Sequence, residues 1–144
     1  MMGREHWIEI PFSDTITALE SGSRPKGGVK GITEGIPSIG AEHLNSEGTF
    51  NFTNLRFVPF EFADRMNRGK IDFNDILVVK DGATTGKVSI VNNDFPYKVA
   101  CVNEHVFICR LIKNINVNYC FFFLRSHVGQ EQIMSSFHGG AQGG

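Results

Sequence analysis

Four consecutive apolar residues, Ile76-Leu77-Val78-Val79, opened by Asp75 and shut by Asp81-Gly82, constrain this chain more than any other feature. Alternate residues of a strand point to opposite faces, so this run predicts a strand buried on both sides. Residues 106–112 set His105, Phe107, Cys109 and Leu111 on one face against Val106, Ile108, Arg110 and Ile112 on the other, which places a second strand in mid-sheet. Residues 87–91 and 99–102 are further strands, separated by the turn-rich Asn92-Asn93-Asp94-Phe95-Pro96. Residues 36–41 and 50–60 read as extended, and Trp7 to Ile10 as a short strand stopped by Pro11.

Helical signals lie mainly towards the ends. Ser13 or Asp14 caps a short helix expected over residues 15–20, ending at Ser21-Gly22, and residues 62–67 suggest a brief helix closed by Gly69. Val117, Phe121, Leu124 and Val128 recur at helical spacing with Asn116 as the cap. Gly129 is expected to break or bend that helix, with another turn or two over 130–137 before a glycine-rich tail. The expectation is an α+β fold: a single domain with a twisted, mostly antiparallel or mixed sheet, a short N-terminal helix and a C-terminal Phe-rich helix.

A strand covered on both faces needs a core, and 144 residues with 41% hydrophobic and 20% charged side chains supply one domain's worth. The most apolar uncharged run, residues 114–124, is 11 long, against roughly 20 for a membrane-spanning helix. The N-terminal residues carry charges early and no apolar run, so a cytoplasmic location is expected. Cys101, Cys109 and Cys120 are odd in number and lie in apolar stretches, which suits reduced thiols rather than a disulfide framework.

Fourteen basic and fifteen acidic residues give a net charge of -1, which in bulk argues against a nucleic-acid binder. The distribution is less even. Residues 22–31 hold Arg24, Lys26 and Lys30 with no acid, inside a segment, 22–35, with five glycines and a proline. Such a backbone adopts positive φ and approaches a partner closely. Residues 105–130 likewise hold Arg110, Lys113 and Arg125 with no acid.

Gly82-Ala83-Thr84-Thr85-Gly86-Lys87 superficially matches a phosphate-binding loop, but three residues rather than four separate its glycines and Val88 follows the lysine. It reads as a strand-to-strand turn with hydroxyls at Thr84 and Thr85 and an ammonium at Lys87. Cys101, Asn103 and His105 share one side of an extended segment while Glu104 faces the other. That leaves open a small cysteine/histidine-dependent hydrolase or ligand-binding enzyme, beside a plain hydrogen-bonding network. No lysine has an acid two residues before it, as metal-dependent nuclease cores commonly require, and no Asn-Pro-Pro motif of an amino-methyltransferase is present. The five histidines form no i, i+4 zinc pair around a glutamate. Thirteen phenylalanines raise a third option, an interaction module, although most fall on predicted strands and the last helix.

Four segments in order carry a further signal: Ser21-Gly22-Ser23-Arg24-Pro25-Lys26-Gly27-Gly28, Gly35-Ile36-Pro37-Ser38-Ile39-Gly40, the stretch from Asp75 through Gly82-Ala83-Thr84-Thr85-Gly86-Lys87, and Gly139-Gly140-Ala141-Gln142. With Val102-Asn103-Glu104-His105-Val106 and the Phe-rich helix, they make the chain resemble a target-recognition domain of the type I restriction-modification DNA specificity (S) subunit, from Trp7 to Gln142. The resemblance implies a non-catalytic module that selects the DNA sequence at which modification (methyltransferase) subunits and a restriction (motor nuclease) subunit act. Those partners would use S-adenosylmethionine, ATP and magnesium, with no cofactor in this chain. Full S subunits place two such domains in tandem, each followed by a spacer helix. Residues 1–144 are expected to be one domain lacking that helix and the second repeat.

Loop position and side-chain chemistry then nominate DNA contacts. Arg24 is foremost because its planar fork reads guanine bidentately, with Lys26 and Lys30 beside it for guanine edges or phosphates. Thr84, Thr85 and Lys87 suit phosphates or a thymine methyl, and Lys80 at the strand end is similarly placed. His43, His105 and Gln142 complete the set, each equally suited to holding a loop in shape.

Overall fold

The computed structural model describes residues 12–143, with side chains over 14–135. A 3-10 turn, Phe12–Thr15, leads into β1 (Ile16–Ser21). Then follow β2 (Ile36–Ile39), β3 (Arg56–Val58), α1 (Phe60–Arg65), β4 (Ile76–Val79), β5 (Val88–Ile90), β6 (Cys101–Val102), β7 (Val106–Leu111), α2 (Val117–Arg125) and α3 (His127–Gly143). Two sheets form. The larger has the order β1-β7-β4-β5 and is antiparallel throughout; the smaller, β3-β2-β6, joins one antiparallel and one parallel pair.

The apolar run does what its pattern demands. Leu77 and Val79 of β4, with Val106 and Ile108 of β7, pack against Ile39 and Val102 of the smaller sheet. Ile76 and Val78 face the other way, onto Cys120, Phe121 and Leu124 of α2 and Ile133 of α3. All four β4 residues are at most 2% exposed. The larger sheet is therefore the middle of three layers, and the chain is a single α+β domain as expected.

Asn116 caps α2, its side chain accepting from the Tyr119 amide at 3.0 Å. The helix stops at Ser126, whose hydroxyl donates to the Phe123 carbonyl at 2.6 Å and accepts from the Gly129 amide at 3.1 Å. Gly129 itself lies inside α3 rather than at the break. A Cβ there would meet the Phe123 carbonyl oxygen at 2.0 Å, so glycine lets α3 fold back against the last turn of α2.

Three sequence expectations change. The helix expected over 15–20 is instead β1, because Ile16 and then Ala18 through Ser21 find a ready ladder on β7, a tertiary pairing that overrides the local capping signal. Of residues 50–60 only Arg56–Val58 forms a strand; Asn51 accepts from the Thr53 amide at 2.9 Å and turns the chain, and Phe50 and Phe52 gather with Phe95 and Tyr97 at ring separations of 5.1–5.8 Å. Pairing in 99–102 is confined to β6. The strand expected over residues 7–10 lies outside the described residues.

Candidate functional site

The register brings Ser21 opposite Phe107, Val79 opposite Val106 and Val78 opposite Val88. The segments that leave or enter the larger sheet at this edge are residues 22–35, 80–87 and 103–105. Strand pairing thus gathers Arg24, Lys26, Lys30, Lys80, Thr84, Thr85, Lys87 and His105, far apart in sequence, at one end of the molecule.

Two tight turns shape the glycine-rich segment, closed by the Gly28 amide on the Pro25 carbonyl at 2.9 Å and the Ile32 amide on the Val29 carbonyl at 3.1 Å. Gly27 and Gly28 take φ of 90° and 85°, the left-handed region that disfavours a side chain. Val29 anchors the segment by packing with Val58, Ala63, Met66 and Cys101. Arg24, Lys26 and Lys30 remain exposed around it. A cleft of about 220 Å³ opens beside them, with Ser38, Arg56 and Asn103 also on its wall.

Arg24 does not stand free. Its Nε donates to both carboxylate oxygens of Glu104, at 2.9 and 3.0 Å, and Nη2 donates to Oε2 as well. That bonding holds the Glu104 carboxyl below the usual carboxylate range and raises the guanidinium. Beside Glu104, His105 Nδ1 lies 2.6 Å from Asp81 Oδ1 and Nε2 lies 3.7 Å from Glu104 Oε2. The chain Arg24–Glu104–His105–Asp81 ties the glycine-rich segment to the 81–87 turn. In that turn the Thr85 hydroxyl donates back to the Gly82 carbonyl at 2.6 Å, leaving Thr84 the more exposed hydroxyl. Gln130 of α3 donates to the Gly86 carbonyl at 2.8 Å and fixes the turn from behind. Lys80 lays its ammonium 5.1 Å from the Phe107 ring centre.

His43 is a correction. It is 1% exposed; Nδ1 accepts from the Gly40 amide at 2.9 Å and Nε2 lies 2.9 Å from the Asn54 carbonyl oxygen. Both nitrogens are used in holding residues 40–54 together, which takes this ring out of reach of a base edge. Gln142 lies outside the residues whose side chains are described.

The nucleophile reading has no support in this geometry. Cys101 is 1% exposed, its thiol donates to the Pro37 carbonyl at 3.6 Å, and burial pushes its pKa up to about 11. Asn103 is spent on structure: its side-chain oxygen accepts from the His105 amide at 2.8 Å, and its backbone bonds Gly22 and Ile39. Among the described residues, no cluster of three or more His, Cys, Asp or Glu could hold a metal ion, and no helix is long and apolar enough to cross a membrane.

Sequence reasoning missed Glu104 as the partner of Arg24, and missed Arg56, which lines the cleft with Nε 3.8 Å from Glu42 Oε2. Glu104 is visible in the sequence beside His105, on the opposite side of the extended segment, but nothing local links it to Arg24, 80 residues away. Arg56 carried no signal, being one residue in a long extended stretch.

No family model and no curated protein matches this chain. Solved structures do. The HsdS subunit from Thermoanaerobacter tengcongensis superposes with a TM-score of 0.56 at 10% identity, covering 92% of this chain and 37% of that one. A chain from a structure describing complex assembly and conformational transition of the type I R-M system gives a TM-score of 0.52 at 11% identity, covering 83% of this chain and 29% of its own length. The chain thus spans about a third of the proteins it superposes on, and its fold is one found within HsdS subunits.

Proposed function

We propose that this chain is a DNA target-recognition module, the sequence-reading part of a type I restriction-modification specificity subunit. The observation that carries the reading is the convergence of Arg24, Lys26, Lys30, Thr84 and Lys87 at one sheet edge, on segments braced by buried Val29 and by Gln130, in a fold shared with HsdS. Arg24 and Arg56 read base edges, and the lysines with Thr84 hold phosphates. The near-neutral net charge fits a module whose partners, modification and restriction subunits using S-adenosylmethionine, ATP and magnesium, supply much of the phosphate clamp. The module makes no bonds itself and works in the cytoplasm, where the target DNA lies.

The test is selection of the full chain on a pool of duplexes with a randomised centre. One short word is expected to enrich. On that word Arg24→Ala costs about 1–3 kcal/mol and relaxes one position, while Lys26→Ala weakens all sequences alike and lowers the salt dependence. A wild-type chain that enriches nothing overturns the proposal, as does a chain lacking Arg24, Lys26 and Lys30 that keeps both the word and its affinity.

A further inference from the structure

The geometry points to Glu104 as a positioning residue that turns Arg24 into a guanine-specific probe, an inference that rests on the DNA-reading function proposed above. A guanidinium has five N–H donors on a rigid plane, with a side-on edge formed by Nε and Nη2 and an end-on edge formed by Nη1 and Nη2. Glu104 occupies the side-on edge alone. Among the described residues the bonds of Arg24 all run from Nε and Nη2 to Glu104, and Arg24 lines the cleft, so the end-on edge is the one left for a ligand. Guanine presents O6 and N7 as two adjacent acceptors in the major groove, which suits that edge.

Charge sharpens the choice between base and backbone. Lys26 and Lys30 carry no ion pair among the described residues and suit phosphates. Arg24 is neutralised by its partner, and a phosphate approaching it also meets the Glu104 carboxylate. The pair therefore gains little from the DNA backbone, while a guanine edge brings neutral acceptors without that repulsion. The backbone that carries Glu104 is held on its C-terminal side, because the Asn103 side chain accepts from the His105 amide and the His105 ring bonds Asp81. Arg24 is thus fixed in orientation before DNA arrives, and its long side chain loses less freedom on binding.

The experiment uses the full chain and the word that wild type selects. The guanine lost from the selection by Arg24→Ala is identified first. Fluorescence anisotropy then compares the duplex carrying that guanine with one in which the G·C pair is changed, for wild type, E104A, E104Q, R24A and the R24A/E104A double variant. E104A is expected to cut discrimination at that one position by about tenfold, with affinity for the changed duplex unaltered or raised. E104Q keeps an acceptor for Nε and retains part of the discrimination. Adding E104A to R24A changes nothing further at that position. Melting curves in the same buffer report whether each variant is folded, and E104Q carries the comparison if E104A is not. Discrimination undiminished in both E104A and E104Q overturns the inference. So does an effect of E104A that persists in the R24A background, the signature of Glu104 touching a base directly. A selected word with no guanine dependent on Arg24 defeats this inference alone, whereas the absence of any selected word defeats the DNA-reading function with it.

Discussion

Two arginines near opposite ends of the larger sheet grip carboxylates in the same way, and to different ends. At one end Arg24 binds Glu104 through Nε and Nη2; at the other Arg110 binds Asp75 through the same two nitrogens, at 2.9 and 2.8 Å. Asp75 is 1% exposed and also accepts from the Asp72 amide, while Arg110 Nη2 donates to the Lys70 carbonyl at 2.9 Å. Protein atoms take up that pair, and it rivets the 70–75 segment to β7. The Glu104 side chain is 40% exposed, and among the described residues the bonds of Arg24 all run from Nε and Nη2 to Glu104, which leaves its end-on edge for a ligand. Burial of the carboxylate, more than the presence of a salt bridge, separates a structural pair from one that remains available to a ligand.

The largest effect that could break this contrast is on stability. Arg110→Ala leaves the buried Asp75 carboxylate without its cation and is expected to lower the unfolding free energy by about 3 kcal/mol, at the low end for buried pairs because the guanidinium is partly solvated. Urea denaturation measures it. A loss no larger than that of an exposed pair would show that the two ends are not distinct in kind.

Much of the scaffold behind this contrast was legible in local pattern. β4 announced two-sided burial by four apolar residues in a row, β7 by apolar residues on both faces, and α2 by its cap and by Val117, Phe121 and Leu124 of the stripe, whereas Val128 falls in α3 and is exposed. β1 was not legible because its partner lies about ninety residues away, and six residues beside capping groups suit a short helix equally well until that ladder is known. The site divides in the same way. Glycines marked the segment bearing Arg24, but the Arg24–Glu104 bond spans 80 residues, and only the meeting of β1 and β7 brings its partners together. His43 looked like any polar loop residue, and its burial depends on the Asn54 carbonyl arriving beneath it.

A smaller effect sharpens the contrast. Glu104→Ala is expected to change the unfolding free energy by no more than about 1 kcal/mol, since exposed pairs gain little over hydration. The urea midpoint should therefore stay close to that of wild type even where DNA discrimination falls. A loss matching that of Arg110→Ala would make Glu104 a structural rivet as well.

The smallest effect concerns acid, where the two carboxylates oppose each other. Arg24 depresses the Glu104 carboxyl, so the stability it contributes is present above the unfolded carboxylate value of about 4.3 and is lost as pH falls through the lower folded value. Burial raises Asp75 in spite of the Arg110 bonds, so its contribution is present below the unfolded value of about 3.9 and is lost as pH rises through the raised folded value. Urea midpoints from about pH 3 to about pH 6 should fall less steeply towards acid in Glu104→Gln than in wild type, by an amount that solvent screening keeps below about 1 kcal/mol. Asp75→Asn should do the reverse, steepening the acid loss because the opposing carboxyl has gone. Equal slopes in all three proteins would mean that neither carboxyl titrates differently in the fold, and the distinction between the two ends would then rest on geometry alone.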